Sequence, residues 1–238
     1  MLENLMSIVN PGRFEIAMFV AFARTIGRRG YRRFVDSMAL RGNEKVMDFG
    51  SGPGVMAEMI AQRLNGQGGR LTCVDISEKW IAVAKRRLTG YKNVDFVLGD
   101  IRTIAIPESS FDIIGMHLVL HDVEPQMRPG VVSALANALK QDGRIIVAEP
   151  ERTSHSMPIQ EIRRLFEENG MVEVRTKRTW ITYYFEFKKK ALADASLDFR
   201  ADFVGQNDLL LPGLHVPERD GSPSHLLLAD DDRVLSIR

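Results

Sequence analysis

Short apolar runs recur through the middle of the chain, each ended by glycine, proline or an acidic residue. Val46–Phe49, Arg70–Val74 and Arg144–Ala148 are nearly continuous in apolar character, and Val94–Leu98 alternates. Phe111–Gly115 adds a fourth run in chain order, before Arg144–Ala148. Runs of this length bounded by turn residues read as strands buried within a parallel sheet. Between them lie stretches of helical length. Val55–Leu64 is one, and Ser77–Leu88 is another, with Ser77 as cap and Glu78 in the first turn. Val131–Leu139 is a third, expected to close at Asp142-Gly143. Pro158–Asn169 then reads as a helix stopped by Gly170, and Met171–Arg178 and Trp180–Phe187 read as adjacent strands rich in β-branched and aromatic residues. Strand–helix alternation of this kind predicts an α/β, doubly wound, mainly parallel sheet.

The ends depart from that pattern. Phe14–Ile26 is a strongly apolar helix preceded by the turn Asn10-Pro11-Gly12. A basic stretch follows, Arg24, Arg28, Arg29, Arg32 and Arg33, with Tyr31 and Phe34 interleaved. Two roles fit: a helical cap over a ligand site, or an amphipathic segment lying on an anionic membrane surface. The cap is the favoured reading. Beyond about residue 190, Pro212, Gly213, Pro217, Gly221 and Pro223 interrupt any periodicity, and Asp230–Asp232 is an acidic run. The expected organisation is therefore an N-terminal helical cap over 1–43, a main domain over 44–190 and a poorly ordered C-terminal appendage over 191–238.

The stretch V-M-D-F-G-S-G-P-G, Val46 to Gly54, joins the first strand to the next helix. Glycines at 50, 52 and 54 admit a sharp turn with close ligand approach, and the free N–H groups of the helix point back into it. A dinucleotide fingerprint needs G-x-G-x-x-G, but here the third glycine comes one residue early and Val55 stands in its place. Asp48 ahead of the loop would repel a pyrophosphate and attract an ammonium or sulfonium. Asp75 ends the second strand at the spacing of a βαβ unit, where a carboxylate meets ribose hydroxyls. The competing reading of Asp75 is a plain turn acid.

This set resembles the class I S-adenosylmethionine-dependent methyltransferases, over roughly residues 44–188. The first motif is an acidic residue followed by G-x-G-x-G, matched by Asp48, Gly50, Gly52 and Gly54. Gly99-Asp100, F-D-I-I at 111–114 and D-G-R at 142–144 match later motifs in order. The resemblance implies a Rossmann-like methyltransferase fold with strand order 3-2-1-4-5-7-6. It implies S-adenosyl-L-methionine as cofactor, held by Asp48, Gly50, Ser51, Gly52, Gly54, Asp75, Ile76, Asp100, Ile101 and His117. It also implies a small-molecule, quinone or lipid-like acceptor. An Asn/Asp-Pro-Pro-aromatic motif, as in amino-methylating enzymes of the N6-adenine type, is missing: the sequence reads H-L-V-L-H-D after the fourth strand. Cys73 lies on the wrong strand to be a cytosine-type nucleophile.

His117 and His121 follow the fourth strand and are the candidate catalytic bases for a hydroxyl acceptor. Each also reads as a hydrogen-bonded structural histidine, which is the favoured reading for either one taken alone. Their four-residue spacing would suit a metal on a helix, but no third ligand accompanies them, so no metal is expected. Composition narrows the field further. The net charge of +1 gives no case for nucleic acid, and one cysteine excludes an internal disulfide. The start of the chain does not read as a secretory signal and no run approaches a membrane span, so a cytoplasmic location is the default expectation. Two other function classes remain open on the residues: a non-catalytic cofactor-binding partner subunit, and an NAD-dependent oxidoreductase.

Overall fold

The computed structural model describes residues 10–25, 27–151 and 156–191. Residues 192–238 of the appendage expected over 191–238, and Ile26, the expected last residue of the first helix, lie outside the described residues. Two helices precede the sheet, α1 (Arg13–Arg24) and α2 (Arg28–Ser37). The main domain follows in the order β1 (Lys45–Phe49), α3 (Val55–Leu64), β2 (Arg70–Asp75), α4 (Glu78–Arg87), β3 (Val94–Leu98) and β4 (Phe111–His117). Two single-turn 3₁₀ segments lead into α5 (Arg128–Ala138), then β5 (Leu139–Pro150), α6 (Ile159–Glu167), β6 (Met171–Arg178) and β7 (Thr182–Lys189).

The seven strands form one sheet in the order β3-β2-β1-β4-β5-β7-β6. β1 pairs in parallel with β2 on one side and β4 on the other, so Asp48 sits level with Cys73 and with Gly115. β7 runs antiparallel between β5 and β6. This is the Rossmann-like methyltransferase arrangement that the sequence motifs imply.

The two-residue period of the strands divides the core into two layers. Met47, Phe49, Ile114, Met116, Ile145 and Val147 pack under α5 and α6 with Leu135, Ile162, Leu165 and Phe166. Val46, Leu71, Cys73, Ile113 and Ile146 pack on the other side against Phe34, Val35 and Met38 around α2 and Ile60 and Leu64 of α3. Asp48, Gly115 and His117 share the parity of this second layer.

The basic stretch after Gly27 is helical, as the cap reading expects: Tyr31, Phe34, Val35 and Met38 recur at i, i+3, i+4 and i+7 and pack inward, leaving Arg28, Arg29, Arg32 and Arg33 exposed. One expectation is corrected. α5 stops at Ala138, and Asp142-Gly143 lies inside β5 rather than closing the helix. Phe111 pairs with Leu139 while Ile113 already pairs with Arg144, so β5 carries a bulge there. Glycine suits it, since a Cβ on Gly143 would meet Leu139 side-chain atoms at 2.8 Å.

Candidate active site

The glycine turn is held to the strand beside it. The N–H groups of Gly50 and Ser51 donate to the Val74 carbonyl at 2.8 and 3.1 Å. Gly50 and Gly52 take φ of +70° and +50°, which disfavours any side chain. Their surroundings differ. A Cβ on Gly50 would come within 2.4 Å of Val119 Cγ2, whereas nothing lies within 4 Å of one on Gly52. The first glycine therefore admits the turn that follows β4, and the second leaves the cradle open for a ligand.

Asp75 at the tip of β2 accepts hydrogen bonds from the N–H of Gly52 at 2.8 Å and of Ser77 at 2.9 Å. Burial pushes its carboxyl up, and those N–H groups, with that of Ile76, pull it back. Ser77 Oγ in turn accepts the Trp80 N–H and caps α4. Asp100, after β3, grips Arg102 through the guanidinium and the backbone N–H; the Arg102 hydrogen bond holds the Asp100 carboxyl below its ordinary range. α1 reaches over this corner. Phe19 and Trp80 rings lie 5.5 Å apart, and Lys79 Nζ donates to the Pro11 carbonyl at 2.9 Å.

The turn after β4 is organised by a buried carboxylate that no sequence motif flagged. Glu149, fully buried at the end of β5, accepts the N–H groups of Val119, Leu120 and His121 at 3.2, 2.8 and 3.3 Å. Its Oε2 also lies 2.7 Å from His121 Nδ1. Burial pulls the His121 imidazole down, but the hydrogen bond and charge of Glu149, with Asp122, raise it overall. Arg128 closes the turn from outside, donating to the Val123 and His121 carbonyls and pairing with Glu161 at 2.7 Å. Such support lets Leu118 hold a φ of +58° beside the site.

These elements enclose a cavity of about 590 Å³ at the carboxyl ends of the strands. Gly50, Gly52, Asp75, Ile76, Asp100 and Ile101 line it, joined by Glu15, Phe19, Trp80, Arg102, Asp122 and Glu124. Carboxylates outnumber the single guanidinium in this set, which favours a cationic ligand. A larger depression of about 920 Å³ lies at the amino ends of the strands. Several of its charged groups pair with one another, Lys140 with Asp112 and Arg175 with Glu186, and no glycine of the Gly50–Gly54 turn lines it. The smaller cavity is therefore the candidate site.

The other candidate residues lie off that lining. Asp48 is fully buried on β1, with both carboxylate oxygens lacking a hydrogen-bond partner. Burial first, then the nearby Asp75, push it up to about 8. Ser51 Oγ is likewise buried and unpartnered, and Gly54 opens α3 against Ala84 and Leu88. His117 points into the α2 layer, its ring 4.8 Å from Tyr31 and 5.0 Å from Phe34, and burial lowers it to about 4. His121 lies under the turn on Glu149. Of the aromatic residues on α1, Phe19 reaches the cavity, whereas Phe14 and Phe22 are exposed.

A glycine-turn cavity at the carboxyl ends of a 3-2-1-4-5-7-6 sheet defines the class: a Rossmann-like protein of methyltransferase topology. Residues 46–143 match the family described as "Methyltransferase domain". An uncharacterized 37.1 kDa protein in transposon TN4556 of Streptomyces fradiae is 29% identical over 159 residues, covering 64% of this chain and 44% of that protein. The ubiquinone/menaquinone biosynthesis C-methyltransferase UbiE of Shewanella pealeana is 26% identical over 133 residues, covering 54% of this chain and 52% of that one. The chain thus spans about half the length of these curated relatives. Among solved structures, a TehB-like SAM-dependent methyltransferase from Corynebacterium glutamicum superimposes with a TM-score of 0.61 at 20% identity, over 75% of this chain and all of that one. The oxidoreductase reading is not favoured by these matches.

Proposed function

We propose that this chain is an S-adenosylmethionine-dependent methyltransferase acting on a small-molecule or lipid-like acceptor. One observation carries the reading: the open cradle at Gly52, the ribose-type carboxylate Asp75 and the Asp100–Ile101 pair meet in a single acid-lined cavity. The fit to the cofactor is chemical. A cation finds an excess of carboxylates, Asp75 and Asp100 offer acceptors for hydroxyl and amino groups, and Ile101 and Trp80 give apolar surface for a flat ring. In this reading Asp48, Ser51 and Gly54 shape the loop from below, while Ile76 flanks the ribose position.

When bound, S-adenosylmethionine supplies an electrophilic methyl group. The chain's own residues orient the acceptor and exclude water, for which α1, through Glu15 and Phe19, forms one wall. The name of the Shewanella relative, a quinone-pathway C-methyltransferase, supports an acceptor of apolar character. His117 and His121 remain candidates for the base; Asp122 and Glu124, which line the cavity, stand nearer the ligand space. Residues 1–43 act as the cap, 44–190 as the catalytic domain and 191–238 as an appendage.

The test is S-adenosylhomocysteine formation by the full chain against quinols, hydroxylated aromatics and a total lipid extract, together with calorimetric titration of S-adenosylmethionine. Cofactor binding with turnover supports the reading. Binding without turnover on any acceptor class turns it toward a non-catalytic partner subunit.

A further inference from the structure

α1 is an apolar helix turned inside out. A helix on a globular protein ordinarily buries its apolar stripe. Here Ala23 is the only buried residue among Arg13–Arg24, and Phe14, Met18 and Phe22 are 75%, 60% and 54% exposed. Their i, i+4, i+8 spacing places them on one stripe, and Ala17 and Ala21 beside it are also exposed. The helix is nevertheless anchored, by Phe19 on Trp80 and by Lys79 on Pro11.

The charge around that stripe is as uneven as the apolarity. Residues 10–37 hold six arginines against two carboxylates, in a chain whose net charge is only +1. Glu15 is bonded to the Gly12 N–H and Asp36 pairs with Arg63. Elsewhere arginines are mostly matched, as in Arg70–Asp95, Arg163–Glu173 and Arg178–Glu151. Arg13, Arg24, Arg28, Arg29 and Arg32 are exposed and form no ion pair among the described residues.

We propose that the outer faces of α1 and α2 dock on an anionic lipid bilayer, with Phe14, Met18 and Phe22 inserted at the headgroup boundary and the arginines drawn to lipid phosphates. A convex helix with bulky apolar residues and unpaired arginines has the chemistry of interfacial binding. A second copy of the chain is disfavoured as occupant, since it would bring two clusters of unpaired arginines together. Spanning is excluded for these elements, because no described helix is long and apolar enough to cross a membrane. The inference rests on this surface and not on the reaction proposed above.

The experiment is vesicle co-sedimentation of the full chain with equimolar phosphatidylcholine and phosphatidylglycerol, and with phosphatidylcholine alone. The expected result is binding to the anionic vesicles, at least tenfold weaker on the neutral ones and weakened by raising salt from 0.1 to 0.5 M. Phe14→Ser with Phe22→Ser should lose at least tenfold on anionic vesicles. Arg28→Gln, Arg29→Gln and Arg32→Gln together should lose on the order of a hundredfold. None of these side chains is buried, so unchanged circular dichroism and S-adenosylmethionine affinity identify folded variants. No sedimentation with anionic vesicles overturns the proposal, as does equal binding by the serine variant. It is equally overturned if the serine pair abolishes a dimer seen by analytical ultracentrifugation while vesicles leave the chain unbound.

Discussion

His121 Nδ1 lies 2.7 Å from the carboxylate of Glu149, which is fully buried and also takes up three backbone N–H groups of the turn after β4. Removing one partner of a buried pair leaves the other uncompensated, so Glu149→Ala should cost about 3 kcal/mol or more. The folded His121 is raised above its unfolded value. Its contribution is therefore fully present below about pH 6.5 and is lost as pH rises through the folded value. Urea denaturation of the parent and His121→Ala from pH 5.5 to 8.5 should show their difference shrinking upward. A constant difference would exclude a protonated His121 from that pair.

Asp48 also loses stability as pH rises, but for a different reason: its charged form has no partner. Its carboxyl sits at about 8 in the fold against an unfolded value of about 3.9. Folding is thus most favoured below that lower value and loses up to about 1.4 kcal/mol per pH unit through the window. Asp48→Asn removes the charge while keeping the shape. Its stability relative to the parent should grow from pH 4 to pH 8 and level off above, as read by denaturant midpoints.

Gly50 is set by a neighbour in the chain. Alanine there adds a left-handed penalty of about 1 kcal/mol to a contact at 2.4 Å with Val119. Gly50→Ala should lower the thermal midpoint, and Val119→Ala in the same chain should restore part of it. Strict additivity of the two changes would count against the contact.

Asp75 holds the Gly52 N–H and faces the cavity. Asp75→Ala should weaken S-adenosylmethionine binding by about 1–3 kcal/mol, with Asp75→Asn falling between it and the parent. Calorimetry that finds the alanine variant at parental affinity removes Asp75 from the site.

Phe19 tests the wall that α1 makes. Phe19→Ala should reduce methyl transfer at least tenfold while leaving most cofactor affinity, and deletion of residues 1–30 should abolish transfer. Full activity of the truncated chain on its own acceptor would show that α1 is not a lid.

Local sequence determined the alternation of strands and helices, because the period of apolar residues follows directly from backbone geometry. The glycine turn, Asp75 and Asp100 were legible for a related reason: each ends a strand, and strand ends of a parallel sheet converge on one edge. Bulge and helix ends were less legible. Asp142-Gly143 has the chemistry of a helix stop, and only the pairing of Phe111 with Leu139 turned it into a bulge. Other relationships were decided by tertiary structure alone. His117 and His121 are four residues apart, yet one enters an aromatic layer under α2 and the other a carboxylate pocket under β5. Nothing in their spacing separates them, because the left-handed turn at Leu118 redirects the chain between them. The link from Glu149 to Val119–His121 crosses about thirty residues and depends on β4 and β5 lying side by side. The exposure of Phe14, Met18 and Phe22 is likewise invisible in a run that reads as apolar throughout, since only packing decides which face of such a helix is buried.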